Sequence, residues 1–159
     1  MNNKLRIAPW IPAAVWMLII FSLSAQPALA SNSLSRGVTK IIVETVGKII
    51  PLDIEMSTLN DIVSQFNHFV RKFAHFSAYA VLGILILFAL AKNEIRGKKA
   101  FALSLAICII YAVSDELHQL FVPGRGCQLK DVIIDTSGAL IGTAIYKAVN
   151  ILRANHISK

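Results

Sequence analysis

Three short runs hold side chains able to move protons or hold ions. Ser114-Asp115-Glu116-Leu117-His118-Gln119 sets two carboxylates, an imidazole and an amide together, with Pro123-Gly124-Arg125 just beyond. Asn67-His68-Phe69-Val70-Arg71-Lys72-Phe73-Ala74-His75-Phe76-Ser77-Ala78-Tyr79 adds cations, a second imidazole and a phenol. Asp131 and Asp135 stand four residues apart, ahead of Gly138 and Gly142. Glu116 or Asp115 with His118 or His75 has the chemistry of a base and acid pair. Lys72, Tyr79, Gln119 and Arg125 have that of an anion site, while Asp131 and Asp135 could hold a hard divalent cation through oxygen. No cofactor motif accompanies them, and the sequence names no particular metal.

All three runs sit at the ends of apolar segments. The chain has 159 residues, is 55% hydrophobic and carries a net charge of +7. Its mean hydropathy is positive, which points to a small all-α polytopic membrane protein. The basic excess is scattered among apolar segments without a nucleic-acid motif, so nucleic acid is not an expected partner and lipid headgroups are. Cys108 lies in an apolar run and Cys127 in a loop, so the two offer no disulfide framework.

Four spans are expected near 8–26, 73–91, 100–121 and 132–152, in one domain covering residues 1–159. The third is apolar only to Val113, and its fourteen residues would reach ~21 Å against a ~30 Å hydrocarbon core. It must therefore run on through the acidic motif. An alternative treats the first segment as a secretory signal ending at Ala28-Leu29-Ala30, which would leave three spans.

Residues 33–70 read as an interfacial amphipathic segment. Leu34, Val38, Ile41, Ile42, Val46 and Ile49 recur at helical spacing, with Lys40, Glu44 and Lys48 opposite. Pro51 ends this helix, and Thr58 with Asp61 suggests a capping box for a second, completing a helical hairpin.

Basic residues favour cytoplasmic N- and C-termini, with Lys92, Arg96, Lys98 and Lys99 packed in one short loop. The three reactive runs then share the outward side. His68, Lys72, His75, Tyr79 and Gly83 fall on one helical face, as do Asp115, His118 and Gln119, and as do Asp131, Asp135, Gly138 and Gly142. Charges facing lipid would be unsatisfied, so the three faces imply one polar cavity. Plainer readings stand beside this one. Arg71 and Lys72 would only snorkel, His75 would be a structural bundle histidine, the acids would pair with Arg125, Lys72 or Lys130, and the glycines would mark a helix contact or a homodimer seam. On an ideal helix Asp115 and Glu116 point about 100° apart, which favours Asp115 for the shared face.

Lys72-Phe73-Ala74-His75-Phe76 with Tyr79 and Gly83, the Ser114 to Gln119 motif with Pro123-Gly124-Arg125, and Asp131, Asp135, Gly138 and Gly142 together resemble the VanZ-like family of bacterial membrane proteins. The likeness extends to Phe21-Ser22-Leu23-Ser24-Ala25-Gln26-Pro27 at the end of the first segment. It implies a multi-pass protein of the bacterial plasma membrane, a retained first segment, a link to resistance against the glycopeptide teicoplanin, and weight on Glu116 over Asp115.

Two function classes follow. One is an envelope protein that binds a lipid-linked precursor or a glycopeptide-exposed surface component, with Arg71, Lys72, Arg125 and Lys130 meeting its anionic groups. The other is a membrane enzyme acting on a lipid phosphate or pyrophosphate. A transporter fits less well, because the chain shows no paired inverted repeats.

Overall fold

The structure is a computed structural model that describes the backbone of residues 6–49 and 56–157 and the side chains of residues 6–46 and 61–153. It is all-helical over those residues. A short 3₁₀ turn, Ala8–Trp10, leads into α1 (Ile11–Ser24), followed by α2 (Ala28–Ile49), α3 (Met56–Lys92), α4 (Gly97–Gln119) and α5 (Leu129–Ile157).

Three of these are each long and apolar enough to cross a membrane: α3 over Asp61–Lys92, α4 over Gly97–Gln119 and α5 over Leu129–Arg153. The first segment differs. The 3₁₀ turn and α1 together reach only ~27 Å, and the chain then turns by 107° into α2. Pro27 stands at the break, where its missing N–H and ring end the helix. Counting the bent pair as one span makes four. α1 is built into the bundle: the Trp16 indole donates to the Ala78 carbonyl at 2.8 Å, and the Tyr111 hydroxyl to that of Met17 at 2.6 Å.

The expected interfacial hairpin takes another form. Its second arm is the start of α3, which runs unbroken for 37 residues, ~55 Å, or nearly twice the hydrocarbon thickness. The helix is already under way at Met56, so Thr58 lies inside it rather than at its cap. Pro51 lies outside the described residues. If Lys92 marks one membrane face, the hydrocarbon core ends near Phe73, and the first seventeen residues of α3 stand beyond it.

α2 packs against that projecting part through polar and small groups. Asn67 donates to the Asn32 side chain at 2.8 Å, and Thr39 is buried, bonded to the carbonyl of Ser35. Its apolar stripe, Leu34, Val38, Ile41, Ile42 and Val46, remains exposed. A helix that shows its apolar side outward beside a membrane belongs in the interface. Lys40 and Glu44 meet at 3.7 Å on its exposed polar side, while the Lys48 side chain lies outside the described residues.

Beside an apolar core that includes Leu82, Ile86 and Leu90, the bundle exposes apolar side chains and buries polar ones. Leu18, Phe21, Ile110, Ile133, Ile145 and Leu152 are exposed, whereas Ser104, Asp115, Glu116, Gln119, Asp131, Asp135 and Thr143 are buried. Lipid solvates the former, and the latter must find partners inside.

α3 and α5 run parallel and touch at backbone distance. A Cβ on Gly138 would collide with the backbone of Phe76, and one on Gly142 with that of Ala80. A Cβ on Gly83 would come within 2.7 Å of the Ala139 carbonyl. The glycine stripe of α5 is thus used within the chain, against α3, and not as an open dimer seam. The buried Ser104 hydroxyl brings α4 to the same place by donating to the Gly83 carbonyl at 3.2 Å.

Gly138→Ala and Gly142→Ala should each destabilise the bundle by about 1–3 kcal/mol, because the clash is with backbone that cannot rotate away. Gly37→Ala in α2, where nothing lies within 4 Å, should be neutral or mildly stabilising. Melting curves of the purified protein in a mild detergent would separate the two classes.

Candidate functional site

The α3–α5 contact sets the register of the site. Counting outward from Ala80 on Gly142 and Phe76 on Gly138, the next pairs are His75 with Asp135 and Lys72 with Asp131. His75 Nδ1 lies 3.6 Å from Asp135 Oδ1, and the Lys72 ammonium bonds Asp131 Oδ1 directly. Each acid of α5 has its own basic partner from α3. Asp135 is fully buried, and neither of its oxygens accepts a hydrogen bond at normal length; the Tyr79 hydroxyl, buried in the same bundle, is likewise unpartnered.

α4 contributes both carboxylates. Asp115 accepts a hydrogen bond from the Ser24 hydroxyl at the end of α1. Glu116 accepts one at 2.8 Å from the backbone N–H of Gln128, the residue just before α5, where the helix dipole favours negative charge. The two point apart as an ideal helix requires, yet one group joins them. Gln119 Nε2 lies 3.3 Å from Asp115 Oδ2 and 3.3 Å from Glu116 Oε1. Its carbonyl accepts from Arg125 Nη1, also at 3.3 Å. A single amide thus faces two acids on one side and a cation on the other.

Arg125 sits in the α4–α5 turn, beyond Gly124, whose φ of +74° is a left-handed conformation that suits glycine. The turn is pinned to the start of α2 by the Ala28 N–H, which donates to the Pro123 carbonyl at 3.1 Å. Burial, followed by the nearby charge of Arg71, holds the Arg125 guanidinium below its ordinary pKa.

Arg71 and Arg125 both line a cleft of about 370 Å³ between the end of α1, the start of α2 and α3. Its walls are largely apolar, from Ile20, Leu23, Leu34, Val38, Val70, Ala74 and Ala78. Ser24, Gln26, Ser31, Ser35, His75 and Tyr79 supply the polar lining. No carboxylate lines it: Asp115, Glu116, Asp131 and Asp135 all lie elsewhere in the packed bundle.

The structure therefore brings together Lys72, His75, Tyr79, Asp115, Glu116, Gln119, Arg125, Asp131 and Asp135. It leaves out His118, which packs on the Phe21 ring at a centroid distance of 4.5 Å, with Nε2 buried and unpartnered. Side chains at i and i+3 share a face only loosely, and the aromatic surface of α1 takes the imidazole. Lys130 is exposed. The pairing of Asp131 with Asp135 as cation ligands does not form, since Lys72 occupies Asp131; among the described residues no cluster of three or more metal-ligating side chains exists. Ser24 and Gln26, which the sequence marks only within the run that carries the family likeness, and the Gln128 backbone join these residues. Ser24 had a legible signal, a serine closing an apolar segment beside a buried acid; the Gln128 N–H, a backbone group, had none.

Fold and site define a polytopic helical membrane protein with a buried polar cluster at one end of its bundle. The chain matches the family model described as VanZ/LLP1 over residues 9–152, and it belongs to that family. No curated protein and no solved structure matches it.

Lys72→Met alone strands a buried carboxylate and should cost about 3–5 kcal/mol. Adding Asp131→Asn should recover most of that loss. A double-mutant cycle on unfolding in detergent reads the coupling directly, and additive losses would show that the pair does not act as a unit.

Proposed function

We propose that the protein binds an anionic amphiphile of the cell envelope in the cleft between α1, α2 and α3. The carrying observation is the separation of charge. Two guanidiniums line an otherwise apolar cleft, and the acids that could repel an anion lie outside its lining. A phosphate or pyrophosphate suits the forked donors of Arg71 and Arg125. The apolar walls suit the chain that carries it, and the exposed stripe of α2 suits entry from the membrane interface. Lipid-linked envelope precursors combine these features.

The basic residues at the other end of the bundle favour cytoplasmic termini, which turns the cleft toward the outer face of the plasma membrane. A link to resistance against teicoplanin fits that placement. A protein that occupies or withdraws a surface lipid alters what the glycopeptide meets.

One observation supports a second reading. His75 lines the cleft and has the buried Asp135 behind it, the arrangement of an oriented acid and base. On that reading water attacks the phosphorus of the bound lipid phosphate or pyrophosphate, the bond to the lipid-bearing oxygen breaks, and His75 takes the water's proton and returns it to the departing oxygen.

Binding of a polyprenyl phosphate to the protein in nanodiscs should exceed that of the uncharged polyprenol. Arg71→Gln with Arg125→Gln should weaken the phosphate roughly 10- to 100-fold, as expected for loss of charge-assisted hydrogen bonds worth about 1.5–3 kcal/mol. Equal affinity for the alcohol, or unchanged binding by the variant, contradicts the proposal. His75→Asn distinguishes the readings: the binding reading predicts no phosphate release by either protein, and the enzyme reading predicts release by the parent that this variant loses while still binding.

A further inference from the structure

A second cleft, of about 450 Å³, lies at the opposite end of the bundle, between the turn after α3, the start of α4 and the later part of α5. Lys92, Arg96 and Lys147 line it, and no acid does. Aromatic faces support two of these cations: the Lys147 ammonium stands 4.9 Å from the Phe101 ring centroid, and that of Lys92 stands 5.5 Å from Phe88. Such contacts hold the ammonium groups against the bundle beside the cleft that Lys92 and Lys147 line. Asn150 and Tyr146 add polar atoms, and the remaining wall is largely apolar, running from the buried Leu87 and Ala100 past Ala91 and Ile95 to the exposed Ile151.

We infer that this cleft holds one anionic phospholipid, its phosphate among Lys92, Arg96 and Lys147 and its acyl chains along the apolar wall. Charge complementarity selects the headgroup. Three cations with no lining carboxylate favour a net negative headgroup and repel the ammonium of a zwitterionic one. The apolar wall selects a lipid over a free phosphate, because it continues to Ile151 on the exposed surface of a membrane-spanning helix. The cleft shares no residue with the one that binds the envelope amphiphile, so this inference stands apart from the proposed function.

Native mass spectrometry of the protein released from nanodiscs of equimolar phosphatidylglycerol and phosphatidylcholine tests it. One phosphatidylglycerol per chain should be retained, at least fivefold over phosphatidylcholine. Lys92→Gln with Arg96→Gln and Lys147→Gln should abolish that retention, Lys147→Gln alone should reduce it, and the charge-preserving set Lys92→Arg, Arg96→Lys and Lys147→Arg should keep it. Arg71→Gln with Arg125→Gln should leave it unchanged. Equal retention of the two lipids, adducts that do not saturate at one, or retention unaffected by either glutamine variant would overturn the inference. So would loss of the lipid in the Arg71 and Arg125 variant, or displacement by millimolar soluble glycerol phosphate. Should the triple glutamine variant fail to fold, Lys147→Gln and the charge-preserving set decide the matter.

Discussion

The close contact between α3 and α5 is the constraint on which the rest depends. Without side chains at Gly138 and Gly142 the helices approach until backbone meets backbone at Phe76 and Ala80. Such a contact admits little sliding, so it fixes register. Two further pairs follow outward along the same seam, Asp135 beneath His75 and Asp131 beneath Lys72. Apolar packing alone would make a poor ruler in a membrane, where lipid competes equally for the surface of each helix. Close backbone approach and the Lys72–Asp131 ion pair do not suffer that competition.

Charge burial gives this end of the bundle its electrostatic layout. Four carboxylates, Asp115, Glu116, Asp131 and Asp135, are withdrawn from solvent. They are held by unlike partners: a hydroxyl from α1, the backbone N–H of Gln128 just before α5, an amide within α4, an ammonium and an imidazole from α3. Arg71 and Arg125 are directed to the cleft instead. The acids then act as a fixed negative backing that keeps the cationic wall in place, with the Gln119 amide as the joint between the two layers.

Much of this was legible in the residues, and the limits are physical. The stripes on α3 and α5 follow from helical periodicity, which is a local property, and their polar content demanded an interior. Length arithmetic placed the acids of α4 inside a helix. Which stripe meets which residue is a matter of register, and periodicity carries none. That Asp115 and Glu116 join one hydrogen-bond network also emerges only in three dimensions, because the bridging Gln119 and the Gln128 backbone reach around the helix from either side. His118 shows the converse, a residue of suitable type and spacing that packs on an aromatic neighbour from another helix. The fused α3 was hidden because a polar first half and an apolar second half read as two elements, although nothing between them breaks a helix.

Photo-crosslinking with a polyprenyl phosphate that carries a diazirine near its head tests the central claim most directly, that the cationic cleft and not the lipid-facing surface receives the amphiphile. Adducts should concentrate on the walls formed by Ile20, Leu34, Val38 and Ala74, and free polyprenyl phosphate should compete them away. Adducts spread over the exposed faces of α4 and α5, with none in the cleft, would contradict the account.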